Sequence, residues 1–268
     1  MKILISTLLA ILGGYADVVC FIRFNVFPAT QTGNVIYVGR NIHHLLVDRE
    51  HKKEWPDYEE HELGEVQTLC YRVAVIAISA VGAYTYCRFE HAYPRWTATL
   101  AAPVLSLFVL FGSLMPLLCG ANYEGPVNND GRWSVLFVSY ALGAVHFLCG
   151  PTSDGSRLKA VTFAATGHLH KMTKVLWKVN NKAAWETLKE SERASVLQST
   201  AIFFGMIFGA ICGAFTYHHT DIWLFAPVSA MLFIALVLHD RCLDPPASWG
   251  DLSTPLIAAE AGKAVGAK

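Results

Sequence analysis

The stretch ATQTGNVIYVGRN, residues 29–41, decides how this chain is read. It lies in apolar sequence, yet it carries Thr32, Gly33, Asn34 and Arg40, and it is too short and too polar for an ordinary membrane span. Val35, Val38, Ile42 and Leu45 recur at helical spacing, so an amphipathic helix is expected from Gly33 to about Leu46. A glycine at its start permits close backbone approach, and the Thr32 hydroxyl is a candidate cap. The preceding NVFPATQ, residues 25–31, would reach about 20 Å if extended. A helix of this length would climb back by roughly 20 Å. The stretch therefore predicts a re-entrant half helix whose N-terminus points at the bilayer centre.

The composition agrees with a membrane setting. Of 268 residues, 53% are hydrophobic and only 16% charged, against about a quarter charged in soluble domains. The mean hydropathy is +0.36. Basic and acidic residues balance at 21 each, leaving no excess to hold nucleic acid. The seven cysteines are scattered without a C-x-x-C pair and read as small hydrophobes. His43-His44 and His218-His219 are neighbours that point to different helix faces, so no metal is expected, nor any cofactor. No phosphate-binding glycine loop or nucleophile elbow is present, so the chain is not read as an enzyme.

Six apolar stretches are long enough, or nearly so, to span a bilayer: 3–24, 68–87, 96–119, 133–149, 194–217 and 222–238. The opening MKILISTLLAIL also resembles a signal peptide, but apolar character continues through VVCFI, which favours a span. With a cytoplasmic N-terminus, the inner loops carry ten Lys and Arg residues and the outer loops four, which places both termini inside. Residues 48–65 read as an acidic outer insert, and 241–268 as a flexible tail. Arg72, near the start of the second span, is expected to snorkel to the surface.

The chain also repeats itself. VGAYTY (81–86) returns as CGAFTY (212–217), Thr32-Gly33 as Thr166-Gly167, Arg40 as Lys174, and GYAD (14–17) as GAVH (143–146). The repeat divides the chain into residues 1–120 and 132–240. Each unit holds three spans and one Thr-Gly half helix. Three is odd, so the second unit enters from the opposite face. The expected fold is an all-α integral membrane protein with about six transmembrane helices and two half helices in an inverted repeat, as in many secondary transporters. Two helix N-termini meeting at the midplane would favour a small anion. Candidate solute-binding residues are Thr32, Gly33, Asn34, Thr166, Gly167 and His168. Asp17 and His146 are candidates for a polar core or a coupled proton.

GGYADVVCFIRFNVFPATQTGNVIYVGRNI resembles the opening of the YoaK family, domain of unknown function 1275. There the pattern is G-Y-x-D-A followed by M-T-G-N. It matches Gly14, Tyr15 and Asp17, then Thr32, Gly33 and Asn34. ALGAVHF (141–147) and AVTFAATGHLHKM (160–172) resemble the family's second-half motifs, with His146 in place of Asn and His168 in place of Thr. The resemblance implies a polytopic membrane protein and supplies no substrate. A transporter for a small anionic solute is the leading expectation. A non-transporting membrane scaffold is the alternative, and an intramembrane enzyme using Asp17 and His146 is the remotest reading.

Overall fold

The computed structural model describes residues 1–46, 65–93, 96–118, 132–149, 158, 168, 190–219 and 225–243, and all regular structure among them is helical. The helices are α1 (Lys2–Phe24), α2 (Gln31–Leu46), α3 (Glu65–Ala92), α4 (Thr97–Leu118), α5 (Val135–Cys149), α6 (Glu190–His219) and α7 (Ala226–Cys242). A short 3-10 turn, Arg132–Ser134, leads into α5. Five helices, α1, α3, α4, α6 and α5 with its leading turn, are long and apolar enough to cross a membrane. The sixth expected span is the 17-residue α7, about 26 Å long. It begins four residues later than residue 222 because Pro227 belongs in a first helical turn, where its missing N–H breaks no bond. The acidic insert up to residue 64, the second Thr-Gly helix and the tail beyond residue 243 lie outside the described residues.

The core gathers around α1, where Ile5, Leu9, Leu12, Ala16 and Val19 are fully covered. Outer faces are apolar too. On α6, Phe204, Phe208, Ile211 and Phe215 are exposed at helical spacing, which gives a hydrocarbon solvent a continuous surface.

Two helix pairs close on glycine. A Cβ on Gly14 would collide with the Met206 carbonyl, and one on Gly209 with the Ile11 carbonyl, so α1 and α6 touch backbone to backbone. The same happens between α3 and α5, where Gly82 meets the Tyr140 carbonyl and Gly143 that of Ser79. Without a hydrophobic drive between helices in lipid, such close approach supplies much of the attraction. Each pair also carries a tyrosine–threonine hydrogen bond: Thr85 Oγ1 lies 2.7 Å from the Tyr140 hydroxyl, and Thr216 bonds Tyr15.

Contacts fix the helix directions. Thr7, Ile11 and Tyr15 pack in order on Gly205, Gly209 and Gly213, so α1 and α6 are parallel. The Tyr71 hydroxyl donates to the Arg132 carbonyl (3.1 Å), and Tyr86 meets Phe147 further on, so α3 and α5 are parallel. α4 and α7 are antiparallel. The Thr99 N–H donates to Asp240 Oδ2 (2.7 Å), the Ser229 hydroxyl to the Ser106 carbonyl (2.7 Å) and the Phe225 N–H to Ser113 Oγ (2.9 Å). α4 is antiparallel to α5 as well, since Gly112 faces Val138 while Phe108 reaches Tyr140. The link from α6 to α7 covers at most about 25 Å, too little to recross about 30 Å of hydrocarbon. Hence α1, α4 and α6 run one way, and α3, α5 and α7 the other. The chain between α1 and α3, which contains α2, therefore leaves and returns on one face.

Gly209→Leu and Gly143→Leu are each expected to destabilise the protein by about 3 kcal/mol, because a carbonyl cannot yield as a side chain does. Gly39 has nothing near its missing Cβ. Gly39→Ala is expected to leave stability equal or up to about 1 kcal/mol higher. Thermal unfolding of the detergent-purified variants checks both; an unchanged Gly209→Leu midpoint would contradict the packing argument.

Candidate functional site

α1 ends because Asn25 takes the left-handed conformation (φ 54°), with its N–H on the Phe21 carbonyl at 2.9 Å. Asparagine tolerates this geometry better than most residues. The chain then turns back along α1 as an unwound segment, residues 25–30, with Val26 and Ala29 buried. Pro28 has no N–H to satisfy. The other N–H groups of a buried, non-helical stretch need partners.

Asp17 supplies them. Its Oδ1 accepts the N–H of Ala29 (2.8 Å) and of Thr30 (3.3 Å), and its Oδ2 accepts the Thr30 hydroxyl. The carboxylate is 7% exposed. Asp17 lies two helical turns before Phe24, so α2 begins roughly 10 Å below the end of α1. That is about half the depth the extended segment could reach. The dip stops where the carboxylate catches the chain.

Asn34 serves Phe27. Its Oδ1 accepts the Phe27 N–H (2.9 Å), while its Nδ2 donates to the Phe27 carbonyl (2.6 Å) and to Gln31 Oε1 (2.9 Å). Gln31 Nε2 donates to the Pro28 carbonyl (2.9 Å). Asn34 is fully buried. A Cβ on Gly33 would collide with the Phe27 ring, so the glycine lets that ring lie flat over the start of α2. Phe27 in turn stacks on Phe21 at 4.8 Å. Thr32 differs from its expected capping role. The helix begins at Gln31, so Thr32 sits inside the first turn with its side chain exposed, and Thr30 stands at the turn instead.

Higher along α2, Tyr37 and Asn41 grip Arg72 of α3. The guanidinium lies 4.2 Å from the Tyr37 ring centroid, and its Nη1 donates to Asn41 Oδ1 at 3.1 Å. Arg72 is 3% exposed, so it does not snorkel. The aromatic face and the amide give the cation a better resting place than a stretched side chain would. Arg132, in the turn before α5, is likewise buried, with its guanidinium 5.2 Å from the Tyr71 ring.

The remaining expected residues are not gathered here. His146 is exposed on α5, and the partners of Asp17 are Ala29 and Thr30. His168 is buried at 3% exposure. Thr166 and Gly167 lie outside the described residues. The glycines at 205, 209 and 213 stand at small-xxx-small spacing, the sequence signal for this close helix contact. Arg132 and Asn41 carry no local sequence signal, since only the helix packing brings them to Tyr71 and Arg72.

An all-helical bundle with five apolar spanning-length helices and a buried unwound turn defines a multi-pass integral membrane protein. The chain belongs to the DUF1275 family, described as a protein of unknown function, whose model matches residues 5–238. No curated protein and no solved structure matches the chain.

Hydrogen bonds to a charged acceptor contribute about 1.5–3 kcal/mol each. Asp17→Ala is therefore expected to cost about 3 kcal/mol and Thr30→Val about 1 kcal/mol. Chemical denaturation in detergent measures both. An Asp17→Ala protein as stable as the parent would remove the carboxylate from its anchoring role.

Proposed function

We propose that this protein is a membrane transporter for a small anionic solute, built as an inverted repeat of two units. Each unit has three spans and one re-entrant Thr-Gly helix. The observation that carries the reading is the unwound segment 25–30, held inside the bundle by Asp17. Broken backbone at membrane depth is tolerated where it is buried in protein or lines a cavity, and transporters place their solutes at such breaks.

The helix directions support the repeat. The units α1, α3, α4 and α5, α6, α7 run in opposite senses. Exchanging α1 with α5 and α3 with α6 turns one glycine-closed pair into the other: Ile11 and Gly14 take the places of Tyr140 and Gly143, while Ser79 and Gly82 take those of Met206 and Gly209, one helical turn from the Gly82–Gly213 match of VGAYTY with CGAFTY. In this arrangement α7 is the sixth crossing, both termini face the cytoplasm, and the binding residues are Thr32, Gly33 and Asn34 with Thr166, Gly167 and His168.

The start of α2 already has an anion beside it, the Asp17 carboxylate. A solute anion would compete with that charge. Protonating Asp17 removes the competitor and weakens its hold on Ala29 and Thr30, freeing N–H groups for the solute. Anion entry would thus be coupled to a proton. Both Asp17 oxygens are committed in this structure, Oδ1 to the N–H groups of Ala29 and Thr30 and Oδ2 to the Thr30 hydroxyl.

A second reading, a non-transporting scaffold, is favoured by the Phe27 ring lying over Gly33 and by the satisfied Asn34 amide. Melting temperatures measured against small anions, cations and neutral metabolites at two pH values separate the two. A ligand bound only by the native state at a hundredfold excess over its Kd stabilises by about 2.7 kcal/mol. The transporter reading expects a shift selective for anions, larger at the lower pH, and insensitive to pH in Asp17→Asn. A flat panel would favour the scaffold. Tags in residues 48–64 and 180–189 are expected on opposite faces of the membrane; tags on one face would overturn the inverted topology.

A further inference from the structure

We propose that the groove between α4 and α7 binds an uncharged, lipid-soluble carbonyl compound, of the ketone or quinone type, drawn from the middle of the bilayer. The site lies apart from the Asp17 turn, and the inference does not depend on transport.

The two helices leave a groove of about 480 Å³, lined by Pro103, Ser106 and Leu107 of α4 and by Ser229, Ala230 and Phe233 of α7. The small side chains make the hollow, and Leu107 and Phe233 stand exposed beside it. Small-molecule sites occupy about 300–1,000 Å³, are mostly apolar and often lie between the helices of a bundle.

One polar group in this groove is unspent. The Ser229 hydroxyl donates to the Ser106 carbonyl at 2.7 Å, so its hydrogen is used. The Ser106 hydroxyl has no hydrogen-bond partner, although the residue is only 6% exposed. A serine inside a helix can return its hydrogen to the carbonyl four residues back. Here that carbonyl belongs to Ala102, and the bond is not made. A buried hydroxyl left in this way is costly until an acceptor reaches it.

Depth decides which acceptor can. Ser106 is the tenth of the 22 residues of α4, about 14 Å along a helix of roughly 33 Å. It therefore lies near the centre of a hydrocarbon layer about 30 Å thick. There is no water at that level, and lipid tails in the groove would offer no acceptor. The occupant has to carry an acceptor and still dissolve in hydrocarbon. A carbonyl does both. It takes the Ser106 O–H and brings no donor of its own, whereas an alcohol adds a donor to satisfy and a carboxylate adds a charge. The apolar walls suit the rest of such a molecule.

The test uses the full-length protein in lipid discs and two probes, fluorenone and fluorene, which share a ring skeleton and differ by the carbonyl. Binding is read as the rise in melting temperature with probe concentration. Two variants accompany the parent, each first checked for a parental melting temperature without probe. Ser106→Ala removes the hydroxyl and keeps the backbone carbonyl that Ser229 uses. Ala230→Leu fills the groove from an exposed position.

Fluorenone is expected to stabilise the parent saturably, with fluorene at least tenfold weaker. Ser106→Ala is expected to bring the two probes level, and Ala230→Leu to abolish both responses. A parent that does not respond to fluorenone, equal responses of the parent to both probes, or a preference for fluorenone that survives either substitution overturns the proposal. If a variant fails to fold, the comparison of the two probes on the parent decides alone.

Discussion

A chain that leaves a helix inside a membrane must find partners for its exposed backbone groups before anything else can be built. Here one carboxylate does most of this. Asp17 takes two N–H groups and one hydroxyl from residues 29 and 30, and Asn34 closes Phe27 from the other side. A buried carboxylate alone would be very costly. The same carboxylate with three donors converts that cost into a fixed bend. The start of α2 and the place of Phe27 over Gly33 both follow from that bend.

The glycine closures set the frame in which the bend sits. Because α1 meets α6 without intervening side chains, and α3 meets α5 in the same way, little freedom remains to slide one helix along the other. Their parallel packing, joined to the antiparallel α4–α7 contact, sets α1 and α3 in opposite directions.

The spans were legible because their apolar runs exceed what any soluble core needs. α1 and α5 match their sequence limits within two residues. α3 and α6 extend beyond theirs by several residues, to Glu65–Ala92 and Glu190–His219. Helical hydrogen bonding does not stop where hydrophobicity does, so the apolar window under-reads them. α2 was legible from its periodicity and from the Thr-Gly step. The depth of its N-terminus was not, since it depends on how far along α1 the carboxylate catches the chain. Asp17 was legible as important because a charge in an apolar run demands an explanation, yet its partners lie 12 and 13 residues away in an unwound turn that no periodicity announces. Arg72 was misread for a related reason. Its proximity to a polar span end suggested escape to water, whereas the tyrosine and asparagine that receive it belong to another helix.

Taken together, these contacts make α2 the element held least by packing and most by specific polar bonds. Val35, Ile36, Ile42, Leu45 and Leu46 are all exposed on the chain, so α2 contributes little to the shared core. Its lower end is tied to Asp17 and its middle to Arg72 through Tyr37 and Asn41. An element secured in this way opens at lower free energy than the glycine-locked pairs beside it. Both ties are electrostatic and of opposite sign: an anion holds the lower end and a cation the middle. Any change that neutralises one leaves the other to set the position of α2. Motion within the bundle is therefore expected to begin at α2, with α1–α6 and α3–α5 as the fixed frame.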